Sequence, residues 1–175
     1  MHGRGVIIDS TVASDRRTDT AALLVHESPH AVYAALIDAA ALTSWLPPDG
    51  MTGRLHEYDP RPGGRFRMTL TYDLPSRTAV GKSSEHSDEI EAEFAELVPG
   101  ERLVWLVTFA AQDPAFAGVM RMSWLLEPVA DGTLVTIRAE DVPPGISKAD
   151  HDAGLRSSLA NLARYVRSEA AEDLS

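Results

Sequence analysis

Residues 87–109 read SDEIEAEFAELVPGERLVWLVTF, and their pattern decides the fold. In the first half Ile90, Ala92 and Phe94 fall on one face, and Glu89, Glu91 and Glu93 on the other. Strand side chains alternate between faces, so this predicts a half-buried antiparallel strand with its acidic side in water. Like charges repeated along one face are tolerable only when solvated. The second half, Arg102–Phe109, is almost wholly apolar and predicts a strand inside the sheet with both faces covered. Val98-Pro99-Gly100-Glu101 joins the two as a reversal.

The flanking sequence supplies the remaining elements. Thr20–His26 predicts a first strand. Ser28-Pro29 then marks a helix start, serine as N-cap and proline in the first turn, with Val32, Ala35 and Leu36 inward. A short helix, Ala40–Trp45, stops at Pro47-Pro48. Thr52–Tyr58 and Arg65–Asp73 read as strands, the latter with Phe66, Met68, Leu70 and Tyr72 on one face. Leu74–His86 reads as a polar loop or insertion. Gly118–Glu127 and Thr133–Glu140 are two further strands around Ala130-Asp131-Gly132, a hairpin turn. Ser147 caps a last helix whose stripe is Leu155, Leu159, Leu162 and Val166. Segregated strands and helices give an α+β class with a mostly antiparallel sheet and one long C-terminal helix across it. The expected organisation is a flexible leader over 1–18, a single domain over 19–168 and a tail over 169–175.

The bulk composition narrows the function. The 175 residues are 44% hydrophobic and 24% charged, as in a globular protein with room for one good core. A formal net charge of −10 and scattered arginines argue against nucleic-acid binding. No run of eighteen apolar residues suggests a membrane span, and Gly5-Val6-Ile7-Ile8 is too short for a signal sequence, so a cytoplasmic location is expected. The absence of cysteine removes disulfides, thiolate nucleophiles and cysteine metal sites.

Four motifs in order carry a family resemblance: Ser28-Pro29 running through Leu42-Thr43-Ser44-Trp45-Leu46-Pro47; Pro62-Gly63-Gly64-Arg65-Phe66-Arg67; Glu96-Leu97-Val98-Pro99-Gly100-Glu101-Arg102-Leu103-Val104; and the end helix from His151-Asp152-Ala153-Gly154-Leu155 to Tyr165. Together they resemble the activator-of-heat-shock-ATPase-like branch of the START-related (SRPBCC) superfamily. The resemblance implies the helix-grip, Bet v 1-like fold, a curved sheet gripping the C-terminal helix with a cavity between them. Members bind lipids, sterols, polyketides or other apolar molecules; some are cyclases, and some assist a chaperone. Such a fold fixes a shape more than a chemistry.

On that fold the inward residues are Phe66, Met68, Leu70, Tyr72, Ile90, Phe94, Trp105, Val107, Met120, Met122 and Trp124, with Trp45 beside them and Leu155, Leu159 and Leu162 above. An aromatic, methionine-rich lining suits variable apolar contents. The same residues would also make an ordinary packed core. Polar candidates are few. Tyr72 can aim its hydroxyl inward, His56 and Tyr58 share a face by alternation, His151 borders the entrance, and Asp73 and Glu96 are the acids nearest the apolar face. Nothing suggests a cofactor or metal: His26 and His30 straddle a helix start, and no G-x-S-x-G elbow, phosphate loop or dinucleotide motif is present. The expected function is non-catalytic binding of a small hydrophobic or amphipathic ligand in the cavity. The alternatives are a cyclase- or aromatase-type enzyme and a chaperone-interacting stress protein, with a protein partner or homodimer open.

Overall fold

A computed structural model describes residues 16–73, 87–110 and 112–173. The expected loop at 74–86 and the N-terminal fifteen residues lie outside the described residues. The strands are β1 (Arg17–Val25), β2 (Met51–Tyr58), β3 (Arg65–Tyr72), β4 (Ser87–Val98), β5 (Arg102–Phe109), β6 (Met120–Val129) and β7 (Gly132–Val142). The helices are α1 (Pro29–Ile37), α2 (Ala39–Trp45) and α3 (Lys148–Asp173). The strands form one seven-stranded sheet in the order β1-β7-β6-β5-β4-β3-β2, and every neighbouring pair is antiparallel. The two outermost strands therefore come from the chain's first third, and β5 lies at the centre, as its apolar composition requires.

The helix starts follow from local chemistry. Ser28 Oγ accepts the Ala31 N–H, and Asp38 accepts the Ala41 N–H at the start of α2. Each cap satisfies one of the backbone donors that a first turn leaves unpaired. Ser147 does the same for Asp150 at the start of α3. Along α3 the predicted stripe Leu155, Leu159, Leu162 and Val166 is buried. The helix is tied to the end of α2 by Ser158 Oγ–H, donating to Leu46 O at 3.1 Å, and by Asn161 Nδ2–H, donating to Pro47 O at 3.1 Å.

Alternation sets the concave face. Phe66, Met68, Ala92, Phe94, Leu103, Trp105, Val107, Met120, Trp124, Val135, Ile137 and Ala139 are all buried there, beneath α1, α2 and α3. Among the described residues, no helix packs on the convex face. Val104 is nonetheless buried, and a ladder of ion pairs runs over that face: Arg102 to Glu96 at 2.8 Å, Arg121 to Glu96 at 3.1 Å and Arg121 to Glu140 at 3.9 Å. Arginine stems cover apolar backbone while their heads stay wet. The cover expected on both faces of β5 is thus helical on one side and charged on the other.

Two bulges overturn sequence-based placements. A register shift between Leu55 and Glu57 breaks the alternation of β2, so His56 and Tyr58 do not share a face. His56 is exposed and bonds Thr69 Oγ1 at 2.7 Å, while Tyr58 turns onto Phe66 and Phe94. A second shift, between Phe94 and Glu96, sends Glu96 to the convex arginines. An inserted residue inverts the facing of everything beyond it.

The β6–β7 turn is set by Gly132, whose φ is +146°, and a Cβ there would meet Val25 O at 2.1 Å. Beside it the buried Thr133 Oγ1–H donates to Glu27 O at 2.7 Å, pinning the end of β1 to the hairpin. Gly132→Ala is expected to cost about 2 kcal/mol through backbone strain and displacement of β1. That corresponds to a Tm loss of roughly 4–8 °C for a chain of this size. An unchanged melt would contradict this close approach.

Candidate functional site

The candidate site is the concave face under α3. Six rings form a continuous run. Trp45 packs edge-on to Trp124 at 5.1 Å, Trp124 meets Trp105 at 5.5 Å, and Trp105 meets Phe66 at 5.1 Å. Phe66 then meets Phe94 at 5.7 Å, and Tyr58 closes on both. Edge-to-face geometry suits the ring quadrupoles. Of the predicted lining, Trp45, Phe66, Met68, Ile90, Phe94, Trp105, Met120, Trp124, Leu155, Leu159 and Leu162 are buried, and Leu70, Tyr72 and Met122 are half-buried. The strand pairings place Trp105, left undecided between faces by its two-sided strand, on this face, opposite Phe94 and Met122.

The polar groups on these rings differ sharply. Trp45 Nε1–H donates to Ala35 O at 2.8 Å. The Tyr58 hydroxyl donates to Ile37 O, and burial lifts its phenol well above the ordinary value, with Asp38 and Tyr33 adding to the rise. The indole N–H groups of Trp105 and Trp124 are buried with no partner among the described residues. A buried donor left unpaired is costly, and Trp is placed in cores where its N–H can reach an acceptor.

Cross-strand register joins these rings to a charged cluster. The row runs Phe94–Trp105–Met122–Ala139–Asp19 across β4, β5, β6, β7 and β1. Met122 is its half-buried member, so the cover over the row is thinnest there. Asp19, at the end of the row, is 0% exposed. Its carboxylate accepts Arg17 Nε at 2.9 Å and Nη2 at 2.9 Å, and lies 2.7 Å from His151 Nδ1 and 3.7 Å from Lys148 Nζ. Burial pushes the Asp19 carboxyl up, but the Arg17 and His151 hydrogen bonds outweigh it and hold it below the ordinary value.

His151, read from the sequence as bordering the entrance, therefore anchors the start of α3 to β1. Arg17 and Asp19 were not singled out by sequence reasoning. Their signal was the parity of β1, because Asp19, Ala21, Leu23 and Val25 fall on one face. The other polar candidates are peripheral. Asp73 is exposed and receives the Thr52 hydroxyl, and Glu96 faces outward. Among the described residues, no three His, Asp or Glu side chains converge as a metal ion would require. No helix among them is long and apolar enough to cross a membrane.

Among the described residues, hollows lie outside the ring run. One of ≈650 Å³ is lined by Arg16, Arg17, Pro114, Ala117, Gly118, Val142 and Pro144. Another, of ≈120 Å³, lies between the end of β1 and Ala163 and Arg167 of α3.

This architecture is shared by solved structures. A protein from Chromobacterium violaceum is 30% identical, with 85% of this chain and 96% of that chain covered and a TM-score of 0.75. An AHSA1 protein from Silicibacter pomeroyi is 16% identical over 87% of this chain and 99% of that one, with a TM-score of 0.71. An AHSA1-like protein from Aeromonas hydrophila is 17% identical over 88% and 94%, with a TM-score of 0.67. These last two likenesses show the fold. No curated protein matches the sequence. The family model described as "Activator of Hsp90 ATPase homolog 1-like protein" matches residues 26–167. The curved antiparallel sheet, the long closing helix and this match agree, and the chain belongs to the activator of Hsp90 ATPase homolog 1-like family, with the helix-grip fold.

Proposed function

We propose that this protein binds, without catalysis, a small apolar or amphipathic molecule between the concave face of the sheet and α3. The supporting observation is the pair of buried indole N–H donors, Trp105 and Trp124, that lack an acceptor among the described residues. Apolar surroundings with unpaired donors favour a ligand that is mostly hydrocarbon and carries a carbonyl, ether or hydroxyl oxygen. The space would come from side chains that move cheaply. Met68, Met120 and Met122 have flexible thioether chains, and Met122 is already half-buried.

The test is native mass spectrometry of freshly purified protein, followed by extraction of any added mass. Met122→Trp fills the thinnest part of the cover, and is expected to abolish ligand uptake while leaving the fold intact. Trp105→Phe and Trp124→Phe keep a ring but delete a donor. Each is expected to weaken binding about tenfold, the worth of one buried hydrogen bond. Each should change apo stability by about 1 kcal/mol or less, since lost packing is offset by removing an unpaired donor. Unchanged uptake in all three variants would remove the concave face as the site.

An acid–base enzyme is the second reading, and it has one observation in its favour: the His151–Asp19 pair at 2.7 Å ends the row that holds Met122. A carboxylate on Nδ1 orients an imidazole so that Nε2 can take a proton. Recovery of the extracted compound chemically unchanged after prolonged incubation would dismiss this reading and keep the first.

A further inference from the structure

We infer a second and separate site, in which the cleft beside β1 and β7 takes a small organic carboxylate. The cleft holds ≈650 Å³. That is within the range of roughly 300–1,000 Å³ usual for small-molecule sites. Two arginines, Arg16 and Arg17, line it, and its remaining walls are apolar: Pro114, Ala117, Val142 and Pro144. No acidic side chain is among the described lining residues. In a chain of net charge −10 this is a local reversal of sign, and it focuses an anion's approach on one place.

The two arginines have different duties. Arg17 is committed to Asp19 and also donates from Nη2 to Ile146 O at 2.7 Å. Arg16 is held but not satisfied. Its Nη2 donates to Ala117 O at 3.1 Å, while its Nε is buried with no partner among the described residues. Gly118 makes this placement possible, because a Cβ there would stand 2.3 Å from Arg16 Nη1. A guanidinium fixed at the cleft wall by a backbone carbonyl is a preplaced planar cation for a carboxylate, although its buried Nε lies out of a ligand's direct reach. The apolar walls reward an organic body on the anion, and the acidic chain disfavours a doubly charged one. The site shares no residue with the proposed apolar lining and does not rest on that reading.

The test titrates the full-length chain at constant ionic strength with acetate, benzoate and inorganic phosphate, following the backbone amides of Gly118 and Val142 by NMR. Benzoate is expected to saturate with a Kd of about 1 mM or tighter, and about tenfold tighter than acetate. Phosphate is expected to bind more weakly than benzoate. Arg16→Gln should weaken benzoate about tenfold by removing the charge-assisted interaction with the guanidinium. Ala117→Glu, at an exposed wall position, should weaken it similarly. Met122→Trp and Trp105→Phe should leave it unchanged. The assignment is overturned if benzoate does not saturate, if acetate or phosphate binds as tightly, or if neither cleft variant weakens it. A benzoate affinity altered by the concave-face variants would also overturn it, by placing the anion under α3.

Discussion

Asp19→Asn should lower the unfolding free energy by about 2–4 kcal/mol. The carboxylate has no exposed surface and receives Arg17 and His151 directly, with Lys148 at 3.7 Å. An asparagine offers one acceptor oxygen in place of two and turns an amide N–H₂ towards donors. Breaking a fully buried pair typically costs about 3–5 kcal/mol. Here the partners are partly wet, Arg17 at 30% and Lys148 at 63% side-chain exposure, so solvent screening lowers the expectation. The loss should appear as a lower urea midpoint at unchanged slope.

The same residue predicts a pH dependence with a definite sign. Its folded pKa lies below the ordinary carboxyl value, so the unfolded chain binds the proton more readily. The stabilisation is therefore complete above the ordinary carboxyl range and fades as pH falls through the depressed value. The groups facing Asp19 are Arg17 on its own strand and Lys148 and His151 on α3, and Lys148 is shared with Asp152 at 3.0 Å. Between about pH 5 and pH 3 the native chain should lose stability more steeply than Asp19→Asn. Parallel acid limbs would show that Asp19 carries no such linkage.

Asp19 also marks where reading the sequence stopped. The alternating strands were legible because a period of two with one apolar face admits a single register: β4 buries Ile90, Ala92 and Phe94 as its pattern assigns, and β3 buries Phe66 and Met68, with Leu70 and Tyr72 half-buried. Ser28-Pro29 was legible because a cap acts within three residues. What pattern could not supply was the partner of a buried charge. His151 lies 132 residues from Asp19, and nothing local announces that contact. The bulges before Glu57 and Glu96 were hidden for a related reason. An extra residue leaves composition unchanged and alters only facing, so Tyr58 and Glu96 changed sides unannounced. In the candidate site, the apolar members were legible as alternating residues. Which indole would find an acceptor depended on where two helices end.

That last dependence leads to the second large effect. Trp45→Ala is expected to cost about 3–5 kcal/mol, because a fully buried indole at the junction of α2 and the ring run leaves a void that rigid neighbours cannot fill. The sharper comparison is between tryptophan-to-phenylalanine changes at Trp45 and Trp124, which remove the same atoms from rings in contact with each other. The carbonyl of Ala35 belongs to the last turn of α1, where the helix has no further N–H to offer it, and Trp45 Nε1–H fills that gap at 2.8 Å. Trp45→Phe therefore strands a buried acceptor as well as losing volume. Trp124→Phe loses the same volume but deletes a donor that had no partner among the described residues. The two losses should differ by about 1–3 kcal/mol, Trp45→Phe being the worse, in urea unfolding of the apo protein. Equal losses would mean that the Trp45 bond carries no net energy, or that Trp124 is paired after all. If the predicted gap is found, Trp45 is a brace that must stay closed, and Trp124 a donor kept open at a cost in stability. With bound ligand, Trp124→Phe should then lose the stabilisation that the native chain gains, whereas the Trp45→Phe deficit should stay the same.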